Sequence, residues 1–89
     1  MKLNEYIRML DLSSDKIIEE FVNTYGYHNL TFEDVNDYIE NSCGAETIKE
    51  DFRIYDVETT ENTLDSDIVN VQDAIKNIIY GTLDIDREE

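Results

Sequence analysis

Between Glu33 and Asp67 the chain carries 12 of its 22 carboxylates against only Lys49 and Arg53, a net charge of −10 over 35 residues. Carboxylates this crowded repel one another, and that self-repulsion works against any compact state. A chain that keeps them either displays them to a partner or uses them only for solubility. Every element through this stretch must therefore hold an acidic face in water and still bury something on the other side.

The apolar pattern supplies what can be buried. With 89 residues, 40% of them hydrophobic, the chain has room for one domain, residues 1–89. A domain of this size buries a smaller fraction of its surface than a large one and is only marginally stable, and homodimerisation would add buried area. Leu3, Tyr6, Ile7 and Leu10 recur at helical spacing, as do Ile17, Ile18, Phe21, Val22 and Tyr25. Ser13 or Ser14 suits the N-cap of the second helix, and Gly26 suits its end. A third helix is expected from Phe32 to about Asn41, buried along Phe32, Val35, Tyr38 and Ile39. Thr31 and Asp34 resemble a capping box at its start, and Gly44 is expected to terminate it.

Beyond Gly44 the pattern changes. Residues Phe52 to Thr59 are rich in β-branched and aromatic types and predict a short β element at 51–59. It would show Phe52, Ile54, Asp56 and Glu58 on one face and Arg53, Tyr55, Val57 and Thr59 on the other. Its pairing partner would be Glu46 to Lys49, the tail from Thr82 to Ile85, or a second molecule. A polar loop, Thr59 to Asp67, leads to a last helix from Ile68 to Tyr80, capped by Asp65 or Ser66 and closed by Gly81. The expected fold class is α+β: a small, mostly helical single domain with four helices and a β element between helices three and four.

Candidate chemistry is sparse. The single cysteine, Cys43, permits no internal disulfide and fits a reducing cytoplasm. It sits among acids that raise a thiol pKa, so a Cys43–His28 nucleophilic pair is disfavoured and no catalytic residues are expected. Asp84-x-Asp86-x-Glu88 and Asp65-x-Asp67 are fragments of a calcium loop without its central Gly, and the position that should be Glu is Lys76. One His and one Cys cannot build a structural zinc site, so no metal and no cofactor is expected. Helices two and three could pass for a helix-turn-helix, but the second would bring Glu33, Asp34, Asp37 and Glu40 to phosphate, which repels them. The N-terminus lacks the apolar core of a signal peptide, and no run approaches the ~20 apolar residues of a membrane span. Direct contact with nucleic acid or membrane is not expected.

The acidic surface remains. Duplex DNA presents about one charge per 1.7 Å of axis, and a protein can imitate it only by spreading carboxylates over rigid elements. The expected partner-binding residues are Glu33, Asp37, Glu40, Glu46, Glu50, Asp51, Asp56, Glu58, Glu61, Asp65 and Asp67. Tyr27, Tyr38, Tyr55 and Tyr80 could add flat contact area. The expected partner is a basic nucleic-acid-binding protein or complex.

Thr31-Phe32-Glu33-Asp34-Val35-Asn36-Asp37-Tyr38-Ile39, followed by Asp51-Phe52-Arg53-Ile54-Tyr55-Asp56-Val57-Glu58, resembles the ArdA-type antirestriction proteins. There a Phe-Glu-Glu-Val helix precedes an aromatic-Ala-Ile-x-Asp-Tyr-Glu strand. The resemblance implies an acidic DNA mimic, encoded on a mobile element, that occupies the DNA groove of a type I restriction enzyme. It implies exposed acids at Glu33, Asp34, Asp56 and Glu58. In size and charge the chain is also similar to small acidic phage proteins that inhibit CRISPR nucleases. These resemblances imply an inhibitor of a host defence complex. The alternative is a regulatory adaptor or antitoxin-like module that binds through an apolar helix groove.

Overall fold

The computed structural model describes residues 1–87. The described residues form five helices: α1 Leu3–Leu12, α2 Ser14–Tyr25, α3 Phe32–Ser42, α4 Ala45–Ile54 and α5 Leu64–Leu83. No strand occurs among them. The expected α+β class is therefore wrong, and the β element at 51–59 is the last turn of α4 followed by a turn and a loop.

The spine is α5. Its 20 residues span about 30 Å at the usual helical rise, and each of the other four helices packs on it. Ile68, Val71, Ile75 and Ile79, spaced three and four residues apart, form its buried stripe. Phe21 of α2, Val35 of α3 and Ile48 of α4 are fully buried in the same core. Among the aromatic residues, Tyr38 meets Phe21 edge-on at 5.5 Å between ring centroids, and Tyr6 meets Phe52 edge-on at 5.7 Å. Aromatic pairs favour this edge-to-face arrangement.

Packing explains why 51–59 is not a strand. Ile48 and Phe52 are four residues apart and both buried, so they share one helical face. A strand would place Ile54 beside Phe52, yet Ile54 is 65% exposed. On the outer face Glu46 pairs with Lys49 and Glu50 with Arg53, each three residues apart, a spacing that brings side chains together only on a helix.

The end of α4 is a Schellman motif. Asp56 adopts the left-handed conformation at φ 52°. The Val57 N–H then donates to the Phe52 carbonyl at 2.8 Å, and the Asp56 N–H to the Arg53 carbonyl at 3.3 Å. Val57 is buried, as is Phe52, which supplies the apolar contact that accompanies this motif. The turn also anchors the start of the chain. The Met1 ammonium donates to the Asp56 carbonyl at 2.8 Å, and the Glu58 N–H donates to the Met1 carbonyl at 2.7 Å.

Other boundaries shift for local reasons. Gly26, at φ 84°, ends α2 as expected. Gly44 lies between two helices and is the N-cap of α4. Gly81 does not close the last helix; it lies inside α5, which continues to Leu83 and ends at Asp84 in the left-handed conformation. At the head of α3 the Thr31 N–H donates to the Asp34 carboxylate at 2.9 Å, the backbone half of the expected capping box.

Candidate partner-binding surface

Of the five helices, α3 presents the most concentrated charge: Glu33, Asp34, Asp37 and Glu40, with no Lys or Arg. Val35, Tyr38 and Ile39 bury the opposite side. That leaves Glu33, Asp37 and Glu40 exposed at positions i, i+4 and i+7, a single stripe rising about 10 Å along the helix. Asp34 turns back to the helix N-terminus, where the dipole favours negative charge. Asp37 accepts a hydrogen bond of 2.6 Å from the Tyr25 hydroxyl and so ties α3 to the end of α2.

Four of the other expected carboxylates are engaged within the protein. On α4, Glu50 receives both its bonds from Arg53 at 2.8 Å, and Glu46 lies 3.6 Å from Lys49. The outer face of α4 is thus partly neutralised by its own bases. Asp51 turns inward and accepts from the buried Tyr6 hydroxyl at 3.3 Å. Asp67 is half-buried and accepts from the Thr59 hydroxyl at 2.7 Å.

Asp56, Glu58, Glu61 and Asp65 emerge from the loop between α4 and α5 and from the first turn of α5. All four are exposed. Their side chains make no ion pair or hydrogen bond among the described residues, and the same holds for Glu33 and Glu40. The eleven expected residues therefore divide between a stripe on α3, a loop and helix mouth at 56–65, and a set already engaged within the protein. Two of the four interface tyrosines are misplaced: Tyr38 and Tyr80 are buried, whereas Tyr27 and Tyr55 are exposed.

The fold also brings together acids that are distant in sequence. The α2–α3 loop faces the segment leaving α5, so Glu33, Asp84 and Asp86 line one groove. Nothing in the spacing of Asp84 and Asp86 marks this meeting; only the half-buried Leu83 and buried Ile85 beside them hint that the segment packs back. Glu88, the third acid of the calcium-like fragment, lies outside the described residues. Among the described residues no group of three or more His, Cys, Asp or Glu is placed to hold a metal ion.

Cys43 is buried at the end of α3, and its carbonyl accepts from the Gln72 amide at 2.9 Å. Burial pushes its thiol up to about 11, with Glu20 adding to the effect. A thiol held protonated is a weak nucleophile. The Tyr25 hydroxyl is pushed up to about 12, chiefly by its hydrogen bond to Asp37. Burial raises the Tyr6 and Tyr38 hydroxyls well above the ordinary phenol range; Asp51 adds to it at Tyr6, and Cys43 and Glu20 at Tyr38.

All four groups fold in the protonated form. Their folded pKa values lie above the unfolded ones, so their contribution is complete below the unfolded values and lost as pH rises through the folded ones. Urea midpoints are expected to fall above about pH 9, where free thiols and then free phenols ionise. Tyrosinate absorbance should rise with the loss of helix. A midpoint unchanged between about pH 8 and about pH 11 would count against the buried hydroxyls.

No described helix is long and apolar enough to cross a membrane. Comparison with known proteins finds no matching family model, no matching curated protein and no matching solved structure.

Proposed function

We propose that this protein binds the basic nucleic-acid-binding surface of a partner protein in the cytoplasm of a host cell and excludes DNA or RNA from it by competition. The α3 stripe carries the reading: exposed carboxylates at regular spacing on a helix without bases, held by a buried opposite side. A rigid helix keeps like charges at fixed separation, so little order is lost when they meet a cationic groove. The protein is also elongated, 39 × 23 × 18 Å. Duplex DNA of its long dimension presents about 23 phosphate charges, against a net −15 here. The charge density is thus of the same order.

The helical part of the resemblance to the antirestriction proteins, Thr31 to Ile39, is compatible with α3. The part compared with their strand, Asp51 to Glu58, is helix and turn. The partner classes that follow from the resemblances are a type I restriction enzyme and a CRISPR effector nuclease. The test is displacement of labelled DNA from each. At one of them the protein should compete, and its affinity should fall at least about tenfold between roughly 50 and 200 mM salt. Competition that is insensitive to salt would refute mimicry.

Adaptor binding through an apolar helix face would leave a different signature. It would be lost on changing an exposed apolar residue, for which Ile54 and Val69 are available, and would survive at high salt.

A further inference from the structure

At one end of the bundle, the loop joining α2 to α3 and the segment leaving α5 face each other across a groove of about 540 Å³. Leu30, Phe32 and Leu83 line it, and all three are only half-buried, which leaves apolar surface open. Tyr27, 72% exposed, stands at its edge. Glu33, Asp84 and Asp86 supply its charge, and among the described residues no Lys, Arg or His lines it. His28, between Tyr27 and Asn29, is exposed and outside the lining, and the nearest Lys or Arg in sequence, Arg87, is engaged elsewhere: it donates to the Asn77 side-chain oxygen at 2.8 Å and lies 4.8 Å over the Tyr80 ring.

We propose that this groove docks an arginine-bearing segment of the partner, with the aliphatic stem on Leu30, Phe32 and Leu83 and the guanidinium among Glu33, Asp84 and Asp86. The inference deepens the reading above and rests on it for the basic character of the partner. Charge complementarity selects a cation, and the apolar lining selects a cation with a long stem. Arginine is favoured over lysine for two reasons. Its planar fork can pair with a carboxylate through two hydrogen bonds, and it is more weakly hydrated than an ammonium. Its face can also stack on an exposed aromatic ring such as Tyr27, as Arg87 does on Tyr80 within this chain. A duplex mimic working through charge alone would not distinguish the two bases, so the groove would add sequence preference to an otherwise general acidic surface.

The probe is a capped peptide, acetyl-Gly-Arg-Gly-Arg-Gly-amide, titrated into isotope-labelled protein at low salt beside its lysine counterpart. Amide shifts should concentrate in residues 27–33 and 83–86, and the arginine peptide should bind at least about threefold more tightly. Tyr27→Ala and the pair Asp84→Asn, Asp86→Asn should each weaken it about fivefold or more, whereas Glu40→Gln should leave it within about twofold. Tyr27 is largely exposed, and Asn tolerates the left-handed backbone of Asp84, so these variants keep the fold. Equal affinity for the two peptides, or shifts spread evenly along α3 and residues 56–65, would overturn the groove while leaving competition for the DNA site intact. Peptide binding at the groove without displacement of DNA from any partner would instead support the groove and remove the mimic.

Discussion

Ile79→Ala is expected to lower the unfolding free energy by about 2–5 kcal/mol, read from urea midpoints at constant slope. Ile79 has no exposed surface and belongs to the α5 stripe on which the other helices pack. Truncation leaves a cavity bounded by several elements at once, and a site held from several sides collapses poorly. A chain of 89 residues has a total stability of roughly 4–13 kcal/mol, so this one change removes a large share of it. Val69→Ala on the same helix, where the side chain is half exposed, should stay within about 0.5 kcal/mol. A loss under about 1 kcal/mol at Ile79 would mean that α5 is not the spine. The same burial bars Ile79→Asp as a probe of partner binding, because a charge there would unfold the protein before it could report on a surface.

What the sequence shows of this fold follows from where packing and local pattern agree. In α1, α2 and α3 the apolar residues recur every three or four positions and that stripe faces the core, as do Ile68, Val71, Ile75 and Ile79 of α5; Ile78, which the spacing also places on that face, lies outside the core cluster. The loop at Gly26 and the Thr31–Asp34 start of α3 are local chemistry and legible as such. The β reading arose where they disagree. Phe52-Arg53-Ile54-Tyr55-Asp56-Val57 has strand composition, and Phe52 with Ile54 satisfies a two-residue period. The residue that decides, Ile48, lies upstream and pairs with Phe52 at helical spacing inside the core. Tertiary packing thus overrides propensity. The end of α4 was hidden because Asp56, and not Gly, takes the left-handed position. Gly81 misled in the opposite direction: it looks like a helix end but has no positive φ.

The candidate site divides in the same way. The exposure of Glu33, Asp37 and Glu40 follows from the helical period of α3. The inward turn of Asp51 and the pairing of Glu46 and Glu50 with bases three residues on are invisible if the segment is a strand. The groove joining Glu33 to Asp84 and Asp86 depends on the chain folding back, which no local pattern encodes.

That division leads to the second large effect. The pair Asp37→Lys, Glu40→Lys is expected to weaken competition for a partner's DNA site on the order of 100-fold, since placing like charges against a cationic groove costs several kcal/mol. Glu33 is left unchanged because it also lines the groove. The matched pair Glu46→Lys, Glu50→Lys changes net charge by the same amount, on carboxylates already engaged by Lys49 and Arg53. Its effect should stay within about tenfold, the part that follows from long-range steering. Folding does not confound the comparison. Asp37→Lys gives up the bond from the Tyr25 hydroxyl, a loss of about 1 kcal/mol where water can replace it, and the α4 pair gives up exposed bridges worth a few tenths each. Equal losses from the two pairs would mean that net charge alone attracts the partner and that α3 has no special place. A loss confined to the α3 pair would make its stripe, which no Lys or Arg neutralises, and not the larger acidic stretch from Glu33 to Asp67, the surface that stands in for phosphate.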